Sequence, residues 1–364
     1  MDWTAPLHGL KGFLKGRLGL KCETGQGGIL MIFGLVLAAL LSLATVVLVQ
    51  RKADRLGLVQ GVNHRSSHVR PTPTGGGMGI ALGTIVGGSL VVTADTGLLL
   101  VLVLGLVVAL LGLYDDRLPL PARLRLLVQT VLMALLVIST GAPGMLLGEA
   151  GWIWLGLLGV GLTLAGVWWL NLFNFLDGID GYAGSEALFM LLAGLVLAFA
   201  NDTLVLTAPL AGLSLVAGAA TLGFLLFNWP PAKIFMGDVG STFLGFLLFA
   251  LALLGIAAGW QSLWQWAILG VLFAADASVT LLRRLLRGEN VLEAHKSHAY
   301  QRLARDWQGH RPVTLALIAL NLFLVLPLAW AAGYWPELGW GIAVLTYGAA
   351  CAGAWLLGAG RADG

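Results

Sequence analysis

Residues 151–181 read GWIWLGLLGVGLTLAGVWWLNLFNFLDGIDG. Positions 151–171 carry no charge, and about 20 such residues are what an α-helix needs to cross about 30 Å of hydrocarbon. The remainder has the opposite character. Asn171, Asn174, Asp177 and Asp180 recur every third residue, which groups neighbours on one helical face, while Gly178 and Gly181 loosen the backbone. A seam of polar contacts between helices is the plain explanation of such a cluster. Its density favours a site, because ionisable groups within a membrane cost several kcal/mol and mark function by default.

Similar apolar runs recur along the chain. With 151–171 they make eleven candidate spans, at about 28–49, 77–94, 97–114, 124–140, 182–200, 203–227, 239–258, 262–284, 312–333 and 338–358 for the others. The 364 residues are 58% hydrophobic and only 11% charged, with a mean hydropathy of +0.89. The expected fold is an all-α polytopic membrane protein, and a secreted disulfide scaffold, a disordered chain and a nucleic-acid binder are excluded. Cys22 and Cys351 are far apart and belong to no Cys-x-x-Cys pair, so a thiolate metal site is not expected. No linker or repeat divides residues 28–358, which are read as one transmembrane domain with a tail at 359–364.

The cations set an orientation. Arg51, Lys52, Arg55, Arg65 and Arg70 follow span 1, Arg117, Arg123 and Arg125 lie between spans 3 and 4, and Lys233 lies between spans 7 and 8. Arg283, Arg284, Arg287, Lys296, Arg302, Arg305 and Arg311 join spans 9 and 10, and Arg361 ends the chain on that side. The loops near 95, 145, 201, 260 and 335 hold no Lys or Arg. By the positive-inside rule the odd-numbered loops face the cytoplasm. Residues 1–27 conflict with this, because Lys11, Lys15, Arg17 and Lys21 would lie outside. The leader reads either as an upstream extension before Met31 or as an amphipathic surface segment built on Leu10, Phe13, Leu14 and Leu18.

Nearly all acidic, His and Asn residues away from the termini fall on the same side. PTPTGGG at 71–77 follows Arg65 and Arg70; its glycines let backbone approach a ligand or pack a tight turn, and the arginines suit a phosphate. Asp115 and Asp116 end span 3, and neighbours on a helix point about 100° apart, so their roles should differ. A pair of interfacial ion pairs is the plainer explanation for them. Asp238 opens span 8 between glycines, in FMGDVGS at 235–241, a placement suited to a metal-bridged phosphate near a helix N-terminus. His295 and His298 lie three apart. The Asp-rich inventory favours Mg²⁺ over zinc.

Taken together, PTPTGGG, the Asp115-Asp116 pair, NFLDGIDG at 174–181 and FMGDVGS resemble the polyprenyl-phosphate sugar-1-phosphate transferase superfamily, of glycosyltransferase family 4 type. That group includes phospho-MurNAc-pentapeptide translocases and the enzymes that initiate O-antigen and enterobacterial-antigen synthesis. The resemblance covers roughly residues 30–310, and HKSHAYQRL at 295–303 is most similar to the O-antigen-initiating enzymes. It implies transfer of a sugar 1-phosphate from a UDP-sugar to undecaprenyl phosphate in the bacterial inner membrane, with release of UMP. It also implies Mg²⁺, with Mn²⁺ able to substitute, membrane lipid as surroundings, and a homodimer as a further partner. By matched motif, Asp238 and Asn174 would hold the metal and Asp115 and Asp116 would be the catalytic pair. Arg70, Asp177, Asp180, Asn228 and Phe235 would surround the uridine. His295, Lys296, His298, Arg302, Arg123 and Arg125 would face the diphosphate or sugar.

The reaction fits the charge census, since a polyprenyl chain dissolves in lipid and a nucleotide sugar in water, so their meeting place is a membrane boundary. A nucleotide-sugar transporter would instead place polar groups near the midplane within repeated halves. A CDP-alcohol phosphotransferase would need Asp-Gly-x-x-Ala-Arg, which Asp177 and Gly178 do not begin.

Overall fold

The computed structural model describes residues 26–60, 71–92, 95–148, 150–290 and 295–362. Expectations for the leader up to residue 25, and for Arg65 and Arg70, lie outside the described residues. The rest is helical: α1 (Gln26–Leu56), α2 (Gly77–Val91), α3 (Thr96–Arg117), α4 (Ala122–Thr140), α5 (Ala142–Leu147), α6 (Trp152–Phe175), α7 (Tyr182–Asn201) and α8 (Pro209–Asn228). There follow α9 (Asp238–Ala257), α10 (Leu263–Leu269), α11 (Val271–Leu286), α12 (Ala299–Asp306), α13 (His310–Leu320), a π-helical turn (Asn321–Val325), α14 (Leu326–Tyr334) and α15 (Gly339–Leu356). Among the described residues the strands are β1 (Val59–Gln60) and β2 (Thr72–Pro73), antiparallel, with Val59 opposite Pro73.

The protein is an all-α polytopic membrane protein. Among the described residues nine helical stretches are long and apolar enough to cross a membrane. The other two expected spans take different forms. The run 262–284, read from sequence as one span, is broken: α10 and α11 meet at 69°. Gly270 stands at that break, and a Cβ there would come within 2.7 Å of the Trp169 ring. α2 has 15 residues, about 22 Å at 1.5 Å per residue, which is short of the hydrocarbon thickness. It lies directly on α1, because Cβ atoms at Gly79, Gly83 and Gly87 would sit 2.7, 2.5 and 2.6 Å from the main-chain oxygens of Ser42, Ala38 and Gly34. Small residues every fourth position bring two helix backbones into contact. The run 203–227 also begins differently, since Thr203–Thr207 is a 3-10 turn capped by Asp202 and the α-helix starts at Pro209, where a missing N–H costs nothing.

α7, α8 and α9 are the inner helices, and Phe173, Phe224, Phe243, Phe246 and Phe273 fill the core around them. The outer helices turn Trp152, Trp154, Phe323 and Leu345 outward, toward lipid rather than water. Hydrogen bonds tie the ends of α3, α6 and α8 to the starts of α4, α7, α9 and α13. The polar segments therefore share one end of the bundle.

Candidate active site

The centre of that end is the start of α9. Asp116, from the last turn of α3, accepts the Asp238 N–H at 2.8 Å on Oδ1 and the Val239 N–H at 3.1 Å on Oδ2. Backbone N–H groups at a helix start lack partners within the helix, so Asp116 caps α9 from a different helix. Gly237 makes this approach feasible: its φ is +75°, and a Cβ there would lie 2.6 Å from Asp116 Oδ2. Asp115 turns away. It accepts the Leu120 N–H at 2.6 Å and Arg125 Nη1 at 2.7 Å.

Arg125 also reaches toward Asp238, with Nη1 at 3.6 Å from Oδ2, and its Nε is buried without a hydrogen-bond partner. An unpartnered guanidinium N–H is a donor suited to a phosphate oxygen. Arg123, two residues earlier, is exposed. Asn174, at the end of α6, donates from its amide nitrogen to Asp238 Oδ1 and to Ser241 Oγ, both at 2.9 Å. Asn171, three residues before, instead bonds Gln129 at 2.8 Å on α4. The three-residue repeat thus divides between a packing seam and the site.

The loop after α6 divides likewise. Asp177 is half-buried, and its carboxyl is pushed well above the ordinary range by burial first, then by the negative charges of Asp238, Asp116 and Asp180. Asp180 is fastened inside: Oδ2 accepts the Ala232 N–H at 2.9 Å, Oδ1 lies 3.1 Å from His310 Nδ1, and its carbonyl accepts the Thr314 hydroxyl at 2.9 Å. Asn228, 3% exposed, accepts the Gly181 N–H and donates to the Ile234 carbonyl, each at 2.9 Å. Asp180 and Asn228 therefore hold loops together, whereas Asp177 remains available. Phe235 is half-buried on the neighbouring segment, its N–H donating to the Pro73 carbonyl at 2.8 Å. The glycine run has a packing role as well. Gly76 and Gly77 donate to the carbonyls of Phe235 and Met236, each at 2.9 Å, and a Cβ on Gly77 would meet Gly240 Cα at 2.2 Å.

The segment from 295 to 303 lies beside this loop. The Tyr300 hydroxyl donates to the Phe175 carbonyl at 3.0 Å, and its ring stacks on Tyr182 at 4.9 Å. Gly178 leaves room for that hydroxyl, since a Cβ there would be 2.1 Å from it. His298 is 2% exposed and precedes α12. Its Nδ1 lies 3.3 Å from Asp276 Oδ1, and Asp276 also accepts the N–H groups of Ala299 and Tyr300 at 2.9 and 3.0 Å. His295 stacks on His298 at 4.8 Å and stays half-exposed. Burial, then the charges of His298 and Arg284, push it down to about 3, so it is neutral near pH 7. Lys296 is half-buried, and its carbonyl accepts from Arg305 at 3.0 Å. Arg302 runs toward the last turn of the chain, where a Cβ on Gly358 would lie 3.0 Å from its Nε. The described part of the tail is docked: Gly360 N–H donates to the Ser297 carbonyl at 2.7 Å, and Arg283 donates to the Ala359 carbonyl at 3.0 Å.

Tyr300, Asp276, His310, Thr314 and Glu186 were not assigned roles from the sequence. The available signal was burial by context, because Asp276 and Glu186 are the lone acids of the runs 262–284 and 182–200.

Among the described residues no three His, Cys, Asp or Glu side chains form a metal cage by themselves. Mg²⁺ does not need one, since it commonly takes one or two carboxylates and completes its shell with water and substrate phosphates. Asp238 fits that requirement. Asn174 directs its amide hydrogens to Asp238 and Ser241, leaving its carbonyl oxygen as a second donor. The mutual repulsion that raises Asp177 is what a divalent cation would relieve.

Residues 98–256, from α3 to α9, match glycosyl transferase family 4. The chain is 32% identical over 314 residues to a probable undecaprenyl-phosphate N-acetylglucosaminyl 1-phosphate transferase of Bacillus subtilis, covering 79% of this chain and 82% of that protein. It is 33% identical over 309 residues to the decaprenyl-phosphate N-acetylglucosaminephosphotransferase of Mycobacterium tuberculosis, covering 74% of each. A phospho-N-acetylmuramoyl-pentapeptide-transferase of a Synechococcus strain is 32% identical over 286 residues, 70% of this chain and 76% of that protein. The chain therefore belongs to the polyprenyl-phosphate sugar-1-phosphate transferase superfamily, and it is a multi-pass membrane transferase.

Proposed function

We propose that the protein transfers an N-acetylated hexosamine 1-phosphate from its UDP-sugar to undecaprenyl phosphate at the cytoplasmic face of a bacterial inner membrane, releasing UMP. The product would initiate an O-antigen or another cell-envelope polysaccharide. The observation that carries this reading is the convergence of Asp116, Asp238, Asn174, Asp177 and the Asp115–Arg125 pair at one end of the helices. Among the described residues the cations of the odd-numbered loops lie toward that end, which supports a cytoplasmic site.

In the proposed reaction a lipid phosphate oxygen attacks the β-phosphorus, and the bond from that phosphorus to the oxygen of UMP breaks. A phosphate monoester with a second pKa near 6 is mostly dianionic at pH 7 and needs little help from a base, so single displacement is favoured over a covalent aspartyl intermediate. Asp238 with Asn174 would hold Mg²⁺, which when bound neutralises the diphosphate. Arg125 would present the exposed part of its guanidinium to a phosphate oxygen, with Asp115 fixing it. Asp177 would border the nucleotide, and Asp180 and Asn228 would hold that border in place.

The test is UMP release by the purified protein with undecaprenyl phosphate, Mg²⁺ or Mn²⁺, and a panel of UDP-sugars. Turnover of a UDP-N-acetylhexosamine is expected, and no UMP from any sugar would defeat the proposal. The Synechococcus relative favours a second reading, UDP-MurNAc-pentapeptide as donor, which the same panel distinguishes. Ping-pong kinetics with UMP exchange in the absence of lipid acceptor would overturn single displacement.

A further inference from the structure

Glu186 lies one turn into α7, with 0% of its surface exposed. Its Oε2 is 2.5 Å from Asn321 Nδ2, and Asn321 is 1% exposed in the π-helical turn that ends α13. Two buried side-chain atoms here have no partner, Glu186 Oε1 and Asn321 Oδ1. They are the remaining oxygens of the two side chains that meet through Oε2 and Nδ2. As an ionised carboxylate facing an amide, the pair would leave two acceptors without a donor, and an uncompensated charge in the membrane interior costs several kcal/mol. Among the described residues no ion pair reaches Glu186, and the apolar groove beside Asn321, about 560 Å³, is lined by Leu188, Phe189, Leu192, Leu225 and Leu322.

One proton resolves both orphans. A carboxylic acid and a primary amide form a reciprocal pair in which amide N–H donates to one carboxyl oxygen and the acid O–H donates to the amide oxygen. The 2.5 Å contact is shorter than the N–H···O range and lies at the lower limit of the O–H···O range. Turning the Asn321 amide over would place its oxygen at that contact, and the need for one acid proton would be unchanged.

We infer that Glu186 carries its proton in a neutral, reciprocal acid–amide pair with Asn321, and that this pair is a positioning device for the loop containing Asp180. The connection runs along α13. His310, Thr314 and Asn321 are spaced by four and seven residues, which places them on one helical face. That face contacts α7 and the residues before it three times: His310 at the Asp180 carboxylate, Thr314 at the Asp180 carbonyl and Asn321 at Glu186. The pair locks the far end of the face, and the two other contacts carry that fixed position to Asp180. The proton assignment stands independently of the proposed function, whereas the effect on the donor substrate rests on it.

Two measurements test the proposal on the full-length protein in detergent micelles. In infrared difference spectra of wild type against E186Q, the C=O stretch of an un-ionised carboxyl should disappear in the variant; absence of that difference would overturn the proton assignment. Glutamine can reproduce both hydrogen bonds, so E186Q should keep the wild-type unfolding midpoint and KM for the UDP-sugar within about twofold. E186A and N321L should unfold more readily and, where they remain folded, raise that KM more than they lower kcat. An E186Q variant as damaged as E186A would overturn the reciprocal pair. Folded E186A and N321L with wild-type KM would overturn the link to Asp180. If wild type turns over no UDP-sugar, the spectra and unfolding midpoints still decide the proton assignment.

Discussion

Asp116→Asn separates a capping role from a chemical one. Asp116 receives two backbone N–H groups of α9, at 2.8 and 3.1 Å. Hydrogen bonds to a charged acceptor contribute about 1.5–3 kcal/mol each, and a buried donor left without a partner costs about 1–3 kcal/mol. Asparagine keeps one acceptor oxygen and turns its NH2 toward the other N–H, so one bond is lost and the surviving one loses its charge. The expected destabilisation is about 1–3 kcal/mol, a roughly 5- to 150-fold change in the folded-to-unfolded ratio. Loosening α9 also moves Asp238, so half-maximal UMP release should require more Mg²⁺. Unfolding in mixed detergent–SDS micelles followed by circular dichroism gives the first quantity, and a Mg²⁺ titration of initial rates gives the second. If Asp116→Asn unfolds like wild type and keeps its Mg²⁺ requirement while kcat collapses, Asp116 acts on the reacting groups and the capping argument is wrong.

Three further outcomes are expected. Gly178→Ala should lose about 1–3 kcal/mol, the usual cost of overpacking, and most of its activity, because the new methyl collides with the Tyr300 hydroxyl; adding Tyr300→Phe should restore part of both, and no recovery in the double variant would count against that contact. Arg125→Lys should lower kcat at least about tenfold with the charge retained, because lysine cannot hold Asp115 and present a second donor together; wild-type turnover would remove Arg125 from the site. His295, pushed down to about 3 in the folded protein against about 6.5 in the unfolded chain, binds fewer protons folded than unfolded across that interval. Its contribution to stability is complete above about pH 6.5 and declines as pH falls toward 3. Wild type should therefore lose stability between pH 7 and 5 more steeply than His295→Gln, and equal slopes would refute the assignment.

The spans were legible because hydrocarbon imposes one requirement, a long run without charge, and every run read from the sequence contains a helix. The exceptions are physical. The 69° break within 262–284 is invisible to hydropathy, because apolar residues flank Gly270 on both sides, and the close approach of the Trp169 ring that requires a glycine there comes from another helix. The site divided along a different line. Of the motif residues, Asp115, Asp116, Asn174, Asp177 and Asp238 come together, yet residue type alone could not separate residues that hold loops together from residues left available. Asp177 and Asp180 look equivalent in DGIDG, but only Asp180 finds His310, Thr314 and the Ala232 N–H around it. His295 and His298 look equivalent too, and Asp276 in a neighbouring helix decides which of them is buried.

The two groups depend on each other energetically. Four carboxylates close enough for three of them to raise the charging cost of Asp177 would repel the loops that carry them if those loops were free to separate. They are held by contacts that need no cation: the Asp116 cap on α9, the Asn228 bridge between Gly181 and Ile234, and the Tyr300 bond to Phe175. The fold thereby bears the repulsion before any ligand arrives. The proposed Mg²⁺–diphosphate would gain from relief of that repulsion without first having to order the residues that produce it.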